Sequence, residues 1–429
     1  MKKELLFAWS LILLATASAQ AQSEHKNDEL GDITINAQIR IRGEYQNGQG
    51  ALRNKGQDAD VFISERARLG ILYERNNLSL KIGGQNVGVW GSRPIADKSG
   101  TFSINEAWAQ LESDDHRWYA RLGRQQLAYD DERILGTLDW NQAGNFHDAG
   151  RFGYRADLHK IDVLASLSQT SDTEKDGGLY YNGSGAPYKN LQGVWYHYGN
   201  VQKPFQASIL FLNLGQEGGA SAAKTKTYYQ QTLGTFLQYK ANAQVSLSAS
   251  YYHQSGKNPI GETLNANLAA IDLRGIVSPQ VTVTVGYDWL EGQSQGNKRV
   301  TAFNPLYGTH HKFHGTMDYF LPANWFAKSG AGLQDFHVSA GYNPSQRVSL
   351  SFAYHQFLTS TRSKNLGAEF DTQLTWRVEK DVTLLAGYST FFGTRHLEAI
   401  KGGHRKSWQD WAWVSLNVSP AIFSSKRGK

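Results

Sequence analysis

Apolar and polar residues alternate with a period of two along most of this sequence, and the 3.6-residue period of an amphipathic helix is nearly absent. In residues 368–378, apolar and aromatic side chains fall on one face of an extended chain and polar or charged side chains fall on the other. Residues 281–289 and 245–251 repeat this arrangement. The pattern therefore predicts β-strands.

About eighteen such segments occur, and each is long enough for a tilted crossing of a bilayer, which takes about 9–11 residues. The predicted strands are residues 33–45, 61–74, 77–88, 102–112, 117–126, 148–156, 158–168, 191–199, 204–215, 228–240, 243–255, 262–274, 279–291, 332–343, 346–358, 366–379, 381–393 and 408–418.

The connections between these strands alternate between short turns and long polar loops. The short turns are residues 75–77, 113–116, 240–243, 343–346 and 379–381. The long connections are residues 46–60, 89–101, 127–147, 169–190, 215–227, 292–331 and 394–407. This asymmetry is typical of outer-membrane barrels. We therefore predict an all-β fold, a transmembrane antiparallel β-barrel with short periplasmic turns and long extracellular loops.

The N-terminus indicates how the chain reaches that membrane. Residues 1–21 begin with Lys2 and Lys3, continue with a short apolar stretch and end in small residues, which predicts a cleaved secretory signal peptide rather than an anchor helix. Residues 22–429 then form a single barrel domain, whose loop 292–331 is a candidate for occluding the pore. The expected location is the bacterial outer membrane.

Composition removes several classes of function. The 429 residues include no cysteine, so disulfides, thiolate metal sites and cysteine nucleophiles are excluded. The net charge of +6 is mild for this length and does not suggest nucleic-acid binding. What matters is where the charges lie.

Pairs of arginines lie on the polar faces of the first two predicted strands. Arg40 and Arg42 alternate with isoleucines, and Arg66 and Arg68 repeat that spacing. If the apolar face contacts lipid, these arginines and Lys81 line a water-filled lumen, where a charge costs little. The further basic candidates are Arg121, Arg124, Arg133, Arg151 and Arg377, of which Arg124 requires a bulge or the strand end to share this face. Rings of cationic side chains favour anions, so the set predicts an anion-conducting pore.

The alternative is that these arginines brace the wall by pairing with carboxylates such as Glu44 and Asp162. Glu369 and Asp371 share a strand face and are predicted to line the pore as well. Paired carboxylates also occur in glycosidases, but the nearby Arg377 makes a bracing role the better interpretation. Bracing and anion contact are expected to coexist.

Four stretches of the sequence resemble the alginate export (AlgE-like) family of outer-membrane barrels. They are ERARLG (65–70), LGRQQLAYDDERILGTLDWNQAGNFHDA (122–149), FNPLYGTHHKFHGTMDYF (303–320) and LGAEFDTQLTW (366–376). The resemblance implies a monomeric eighteen-stranded barrel with an electropositive constriction that passes an anionic uronate polymer outward. The implied partners are lipid, the anionic polysaccharide or a small anionic solute, a periplasmic export scaffold and the barrel assembly machinery.

The resemblance also assigns individual positions. Arg66, Arg68, Arg124 and Arg133 match basic motif positions of the family. Segment 303–320 resembles the loop that covers or narrows the pore; its candidate residues are His311, Lys312 and Asp318.

Two positions depart from the family pattern. Asn145 stands where the family has an arginine, so one anion contact is expected to be absent. The last predicted strand lacks a terminal aromatic residue, and Phe423 is the nearest candidate.

Other functions find less support in the sequence. His310, His311 and His314 lie in no predicted regular element and near no obvious carboxylate cluster, so we predict no metal site and no cofactor. No G-x-S-x-G motif occurs, and no spacing singles out a nucleophile, so a barrel-rim hydrolase is a minor alternative and no enzyme activity is predicted. A porin for small sugars or small anions is the main alternative within transport.

Overall fold

The computed structural model describes residues 31–93, 102–168, 188–218, 226–294, 296–322 and 325–425. The predicted signal peptide and parts of several predicted long connections lie outside the described residues. Within the described ranges, no helix has the length and apolar character needed to span a membrane.

The described chain folds into a closed antiparallel β-barrel. The strands are β1 (Asp32–Asn47), β2 (Asp60–Arg75), β3 (Leu78–Val89), β4 (Phe102–Glu112), β5 (Trp118–Gln125), β6 (His147–Arg155), β7 (His159–Leu167), β8 (Asn190–Tyr198), β9 (Phe205–Gly218), β10 (Lys226–Lys240), β11 (Val245–Lys257), β12 (Thr263–Ser278), β13 (Val281–Leu290), β14 (Leu333–Tyr342), β15 (Val348–Leu358), β16 (Asn365–Glu379), β17 (Val382–Gly393), β18 (Asp410–Val418) and β19 (Ala421–Ser424). The helical elements are a 3₁₀ turn (His310–Lys312), α1 (Phe326–Ser329) and α2 (Arg395–Lys401).

From β1 to β18 each strand pairs with its neighbour along the chain, and β1 pairs with β18 to close the barrel. The short segment β19 follows Pro420 and also pairs with β1, so it extends the edge that β18 begins. Phe423 lies in β19, opposite Ile35 at the barrel seam. The prediction of an eighteen-stranded barrel is therefore confirmed.

The two faces of β2 show why the strands form here. Leu69 and Ile71 are 47% and 43% exposed on the outer surface, whereas Arg66 is only 1% exposed on the inner side. Arg66 lies directly opposite Arg40 of β1, so the arginines of both strands share the inner face. Because side chains alternate between the faces of a sheet, the apolar residues cover the outside of the barrel.

The interior is only partly polar. Leu210, Leu212 and Leu214 of β9 point inward and belong to a buried apolar cluster that includes residues from loops 126–146 and 291–332. Both loops therefore fold into the barrel and pack inside it. The expectation of water along the whole inner face is wrong for this part of the wall, because buried loop side chains cover the inward leucines.

Candidate functional site

Loop 126–146 is fastened to the inner face of β1 and β2 by four arginines. We call Arg40, Arg42, Arg66 and Arg68 the arginine ladder. Their guanidinium groups donate to backbone carbonyls of the loop in chain order: Arg40 to Asp139 (2.5 Å), Arg42 to Trp140 (3.0 Å), Arg66 to Gln142 (3.3 Å) and Arg68 to Ala143 (2.9 Å). The loop backbone therefore takes up part of the hydrogen-bonding capacity of the ladder.

The carboxylate of Asp139 lies where three of these guanidinium groups converge. Its oxygens are 2.6 Å from Arg40 Nη2, 3.0 Å from Arg66 Nη1 and 3.5 Å from Arg68 Nη1. Burial alone would raise the pKa of Asp139, but Arg40 and Arg66 outweigh that effect and hold the pKa below its ordinary value. The Asp139 side chain is nevertheless 53% exposed, so water reaches this ion cluster.

Arg42 is held differently from the other three. Its Nε donates to Glu44 at 2.8 Å, and its guanidinium lies 4.0 Å from the centre of the Trp140 ring. Trp140 in turn stacks on His311 with ring centres 4.3 Å apart. Through this stack the ladder contacts the second interior loop.

The remaining predicted basic residues have partners of several kinds. Lys81 pairs with Glu106 at 2.5 Å, and Arg151 pairs with Asp162 at 2.6 Å. Arg121 lies 3.8 Å from the Trp108 ring centre and donates to Gln110. Arg377, at the short-turn end of β16, donates to the carbonyl of Gln346 at 3.2 Å.

Segment 303–320 of loop 291–332 joins loop 126–146 inside the barrel. Thr309 Oγ1 donates to Glu132 at 2.5 Å, and Lys312 Nζ donates to the carbonyl of Asp131 at 3.0 Å. Asn145 donates to the carbonyl of Tyr307 at 3.2 Å. The residue that departs from the family pattern therefore connects the two loops.

A second part of the wall, β12 to β17, carries carboxylates and histidines on its inner face. We call this part the acidic arc. Arg133 of loop 126–146 reaches it and makes two hydrogen bonds to Asp288, at 2.6 and 2.9 Å. The side chains are only 4% and 2% exposed, so this is a buried ion pair.

Two predicted acidic residues hold segment 303–320 to the same arc. Glu369 accepts from the backbone N–H of Met317 at 2.7 Å, and Asp371 accepts from Thr316 Oγ1 at 2.5 Å. Glu369 and Asp371 do share the inner face of β16, as predicted, but their partners are loop groups rather than arginines.

Asp318 and His311 of segment 303–320 lie near the end of the barrel that carries the long loops. His311 Nδ1 is 2.9 Å from Asp318, which also accepts from Gln49 at 3.0 Å. A cavity of about 520 Å³ opens beside Asp318 and Gln49. His310 turns away and bonds to the carbonyl of Leu306 at 3.1 Å. The adjacent histidines therefore face different surroundings.

Histidines from two strands complete the acidic arc. His355 Nδ1 is 2.9 Å from Asp335, and His337 Nε2 is 2.8 Å from Asp272. His314 from the loop approaches Asp335 and Asp288 and helps line a cavity of about 350 Å³. The arc is thus a dense group of ionisable side chains that the loop covers.

Comparison with known proteins assigns the family. The model of the alginate export family matches residues 32–375, which is most of the chain. The chain belongs to the alginate export family. No curated protein sequence matches it.

Solved structures agree on the architecture of this alginate export barrel. Pseudomonas aeruginosa OccK9 (OpdG) is 12% identical with a TM-score of 0.62, over 90% of this chain and 98% of that one. A BenF-like porin from Pseudomonas fluorescens Pf-5 is 12% identical with a TM-score of 0.61, over 91% and 99%. Pseudomonas aeruginosa OccK2 (OpdF), solved in complex with glucuronate, is 10% identical with a TM-score of 0.60, over 91% and 98%. The protein is an outer-membrane channel of the bacterial envelope.

The geometry corrects the pore-facing placement of Arg124. Arg124 shares the outward parity of Leu122, which is 66% exposed, and pairs with Asp148 at 3.0 Å. Three positions separate Arg124 from the inward Arg121, so regular alternation turns it to the outer surface. Arg133 does not line an open pore wall either, because its guanidinium forms ion pairs with Asp288 and Asp131.

Several residues of the site were not identified from the sequence. They are Asp139, Asp288, Asp335, His337 and His355. Strand parity alone places Asp288 and the two strand histidines on inner faces, and that signal was available. For Asp139 no periodic signal exists, because it lies in a loop.

Proposed function

We propose that this alginate export barrel conducts anionic solutes, specifically uronate-bearing saccharides, along the arginine ladder. The observation that carries the proposal is the convergence of Arg40, Arg66 and Arg68 on the half-exposed carboxylate of Asp139. Guanidinium groups bind carboxylates through charge-assisted hydrogen bonds, so the carboxylate of a uronate is the chemical equivalent of this Asp139 group.

A passing solute would use the ladder as a series of exchangeable contacts. Each solute carboxylate displaces Asp139 or a loop carbonyl from a guanidinium group and is then displaced by it in turn. Conduction requires binding sites that are favourable enough to enter and weak enough to leave. Competition from Asp139 supplies the second condition, because bare arginines would retain an anion.

Two comparisons support a uronate as the solute. The family is described as alginate export, and alginate is a uronate polymer. A solved barrel of the same fold, OccK2, is in complex with glucuronate. The periplasmic scaffold, the barrel assembly machinery and the monomeric state expected from the sequence remain parts of this proposal.

Segment 303–320 is proposed to narrow the path. It is bonded to β16 through Glu369 and Asp371 and to loop 126–146 through Thr309. Alanine substitutions through the segment are expected to raise single-channel conductance.

The proposal is tested by single-channel recording with purified protein in planar bilayers. Oligouronates should block the current at lower concentrations than neutral oligosaccharides of the same length. Equal block by the two series would contradict the proposal.

A porin for small solutes is the second candidate, and the filled interior favours it. Loops 126–146 and 291–332 contribute a buried apolar cluster inside the barrel, which leaves less room for a polymer. The length dependence of the block separates the two: a polymer channel binds longer oligouronates more tightly, whereas a small-solute porin binds a monomer or dimer best. Turnover of lipid or glycan by the purified protein would instead indicate an enzyme.

A further inference from the structure

The cavity beneath segment 303–320 carries more negative than positive fixed charge. Four aspartates line it, Asp272, Asp288, Asp335 and Asp371, whereas among the described residues Arg133 and Lys312 are its permanently cationic side chains. The balance of four negative against two positive charges leaves two negative charges. Since buried charge must be compensated, protonated histidines or a bound cation must supply the difference.

Of these two alternatives, the geometry around His314 favours a bound cation. It is 8% exposed, and its Nδ1 lies 3.5 Å from Asp288 Oδ2 and 3.5 Å from Asp335 Oδ2. Within the described residues this nitrogen has no hydrogen-bond partner. Hydrogen bonds from nitrogen to oxygen are about 2.7–3.2 Å long. Two ligands of a tetrahedral zinc ion, each about 2.0–2.1 Å from the metal, lie about 3.4 Å apart.

The two carboxylates are oriented by neighbours, as metal ligands usually are. Arg133 donates to both oxygens of Asp288, from Nη1 to Oδ2 at 2.6 Å and from Nη2 to Oδ1 at 2.9 Å. His355 Nδ1 lies 3.0 Å from Oδ1 and 2.9 Å from Oδ2 of Asp335. Such outer partners fix the direction of ligand lone pairs. Ligand atoms of Asp288, His314 and Asp335 all lie within 4.8 Å of one another. This triad therefore has the spacing and the supporting contacts of a metal site.

We propose that Asp288, His314 and Asp335 bind one first-row divalent cation, with Zn²⁺ as the best fit. One imidazole nitrogen and two carboxylate oxygens suit Zn²⁺ better than Mg²⁺ or Ca²⁺, which prefer oxygen ligands alone. The adjoining cavity leaves a fourth position for water. The ion joins loop 291–332, which carries His314, to β13 and β14 of the wall, and it neutralises the excess charge of the cavity. This proposal departs from the sequence-based prediction of no metal site.

Metal binding to the full-length barrel in detergent tests this proposal independently of conductance. Protein purified without a polyhistidine tag is treated with EDTA, dialysed at neutral pH against buffered Zn²⁺ and analysed for bound metal. We expect one equivalent of Zn²⁺.

His314→Asn is the decisive variant. His314 has a positive φ of 64°, a conformation that asparagine tolerates, so the change removes the imidazole without backbone strain. The affinity for Zn²⁺ should fall by more than about 100-fold, since even outer-shell changes cost about 10–100-fold. His396→Asn, on the exposed surface of α2, is the matched control and should bind like the wild type.

Wild-type protein that retains no Zn²⁺, or His314→Asn protein that retains it as the wild type does, overturns the proposal. The electrophoretic shift between heated and unheated samples reports whether each barrel is folded. If His314→Asn does not fold, Co²⁺ bound to the wild type decides: visible absorption of a four-coordinate site supports the triad, and a spectrum of aqueous Co²⁺ contradicts it.

Discussion

Loop 126–146 is anchored to the barrel wall at two places by ion pairs. The loop supplies the cation at one anchor and the anion at the other. At one anchor its Arg133 enters the acidic arc and pairs with Asp288, and both side chains are almost completely buried. At the other anchor its Asp139 enters the arginine ladder, and there the carboxylate is 53% exposed. The first pair is almost completely buried, whereas water reaches the second.

This difference separates a structural contact from an exchangeable one. A buried charge pair cannot be opened without leaving an uncompensated charge, so Asp288 holds the loop permanently. A half-exposed carboxylate among three guanidinium groups exchanges with other anions at low cost, because solvent screens the separated charges. Under the proposed function, the loop therefore remains in place while its other end yields to a solute.

The largest expected effect follows from breaking the buried anchor. Arg133→Gln leaves Asp288 without its ion pair, which should weaken docking of loop 126–146 by about 3–5 kcal/mol. The chain has no cysteine, so Leu135→Cys supplies a unique thiol reporter at a loop position that is fully buried while the loop is docked. Thiol modification at this position should become much faster in the variant.

Arg124→Gln is the matched control, because Arg124 pairs with Asp148 on the outer surface. Exposed pairs contribute about 0–1 kcal/mol, so the reporter should react as in the wild type. Equal protection in the Arg133 and Arg124 variants would contradict the structural role of the buried pair.

Asp130 adds a pH dependence to the same loop. Burial raises the pKa of this aspartate to about 6, although hydrogen bonds from Ser208 and Trp195 lower it in part. Asp130 therefore binds a proton more tightly in the docked loop than in the free loop, where its pKa is the ordinary 3.8. Docking should be strongest below pH 4 and weaken as the pH rises to 6, by about 2–3 kcal/mol in total.

Comparing wild-type and Asp130→Asn protein with the same thiol reporter isolates this contribution. The asparagine variant should lose the weakening between pH 4 and pH 6. Asp139 acts in the opposite direction, because its lowered pKa makes its contribution disappear only as the pH falls below about 4. Parallel pH profiles for wild type and Asp130→Asn would count against the burial of Asp130.

At the exposed anchor, Asp139→Asn removes the anion that competes with a solute. Oligouronate block should then become about tenfold tighter, since about 1.5–3 kcal/mol is typical of a hydrogen bond to a charged group. Asp148→Asn removes a carboxylate from the outer surface instead and should leave the block unchanged. Block that weakens in Asp139→Asn would show that Asp139 helps to form the site rather than competing for it.

The smallest effect is expected where segment 303–320 meets β16. Glu369→Leu leaves the buried N–H of Met317 without an acceptor, which costs about 1–2 kcal/mol. Glu369→Gln keeps an acceptor oxygen and serves as the control. Single-channel records should show more frequent conductance fluctuations in the leucine variant alone. If neither variant shows more frequent conductance fluctuations than the wild type, this contact does not restrain the segment.

Strand positions and inner faces could be predicted because alternation is a local property of the sequence. Arg40 and Arg66 follow from parity alone, and they do share an inner face. Parity does not predict the character of the inner face at β9, where leucines face inward beneath the loops. At Arg124 parity is right and the pore-lining prediction is wrong, because regular alternation turns this side chain outward.

The contacts of the interior loops could not be predicted in the same way. Asp139 meets Arg40 across 99 positions of the chain, and Arg133 meets Asp288 across 155. Loops have no period that fixes the direction of a side chain, so only the folded barrel brings these partners together. The loop histidines show the same limit of sequence-based prediction. His310 bonds to the carbonyl of Leu306, whereas His314, four residues later, lies beside Asp335 of the wall.

Ion selectivity tests the central claim, that the arginine ladder forms the anion path, most directly. Reversal potentials across a planar bilayer under a KCl gradient are compared for wild-type protein and the folded double variant Arg66→Glu, Arg68→Glu. We expect anion preference in the wild type and loss or reversal of that preference in the variant. Unchanged selectivity in the variant would contradict the account and leave these arginines with a purely bracing role.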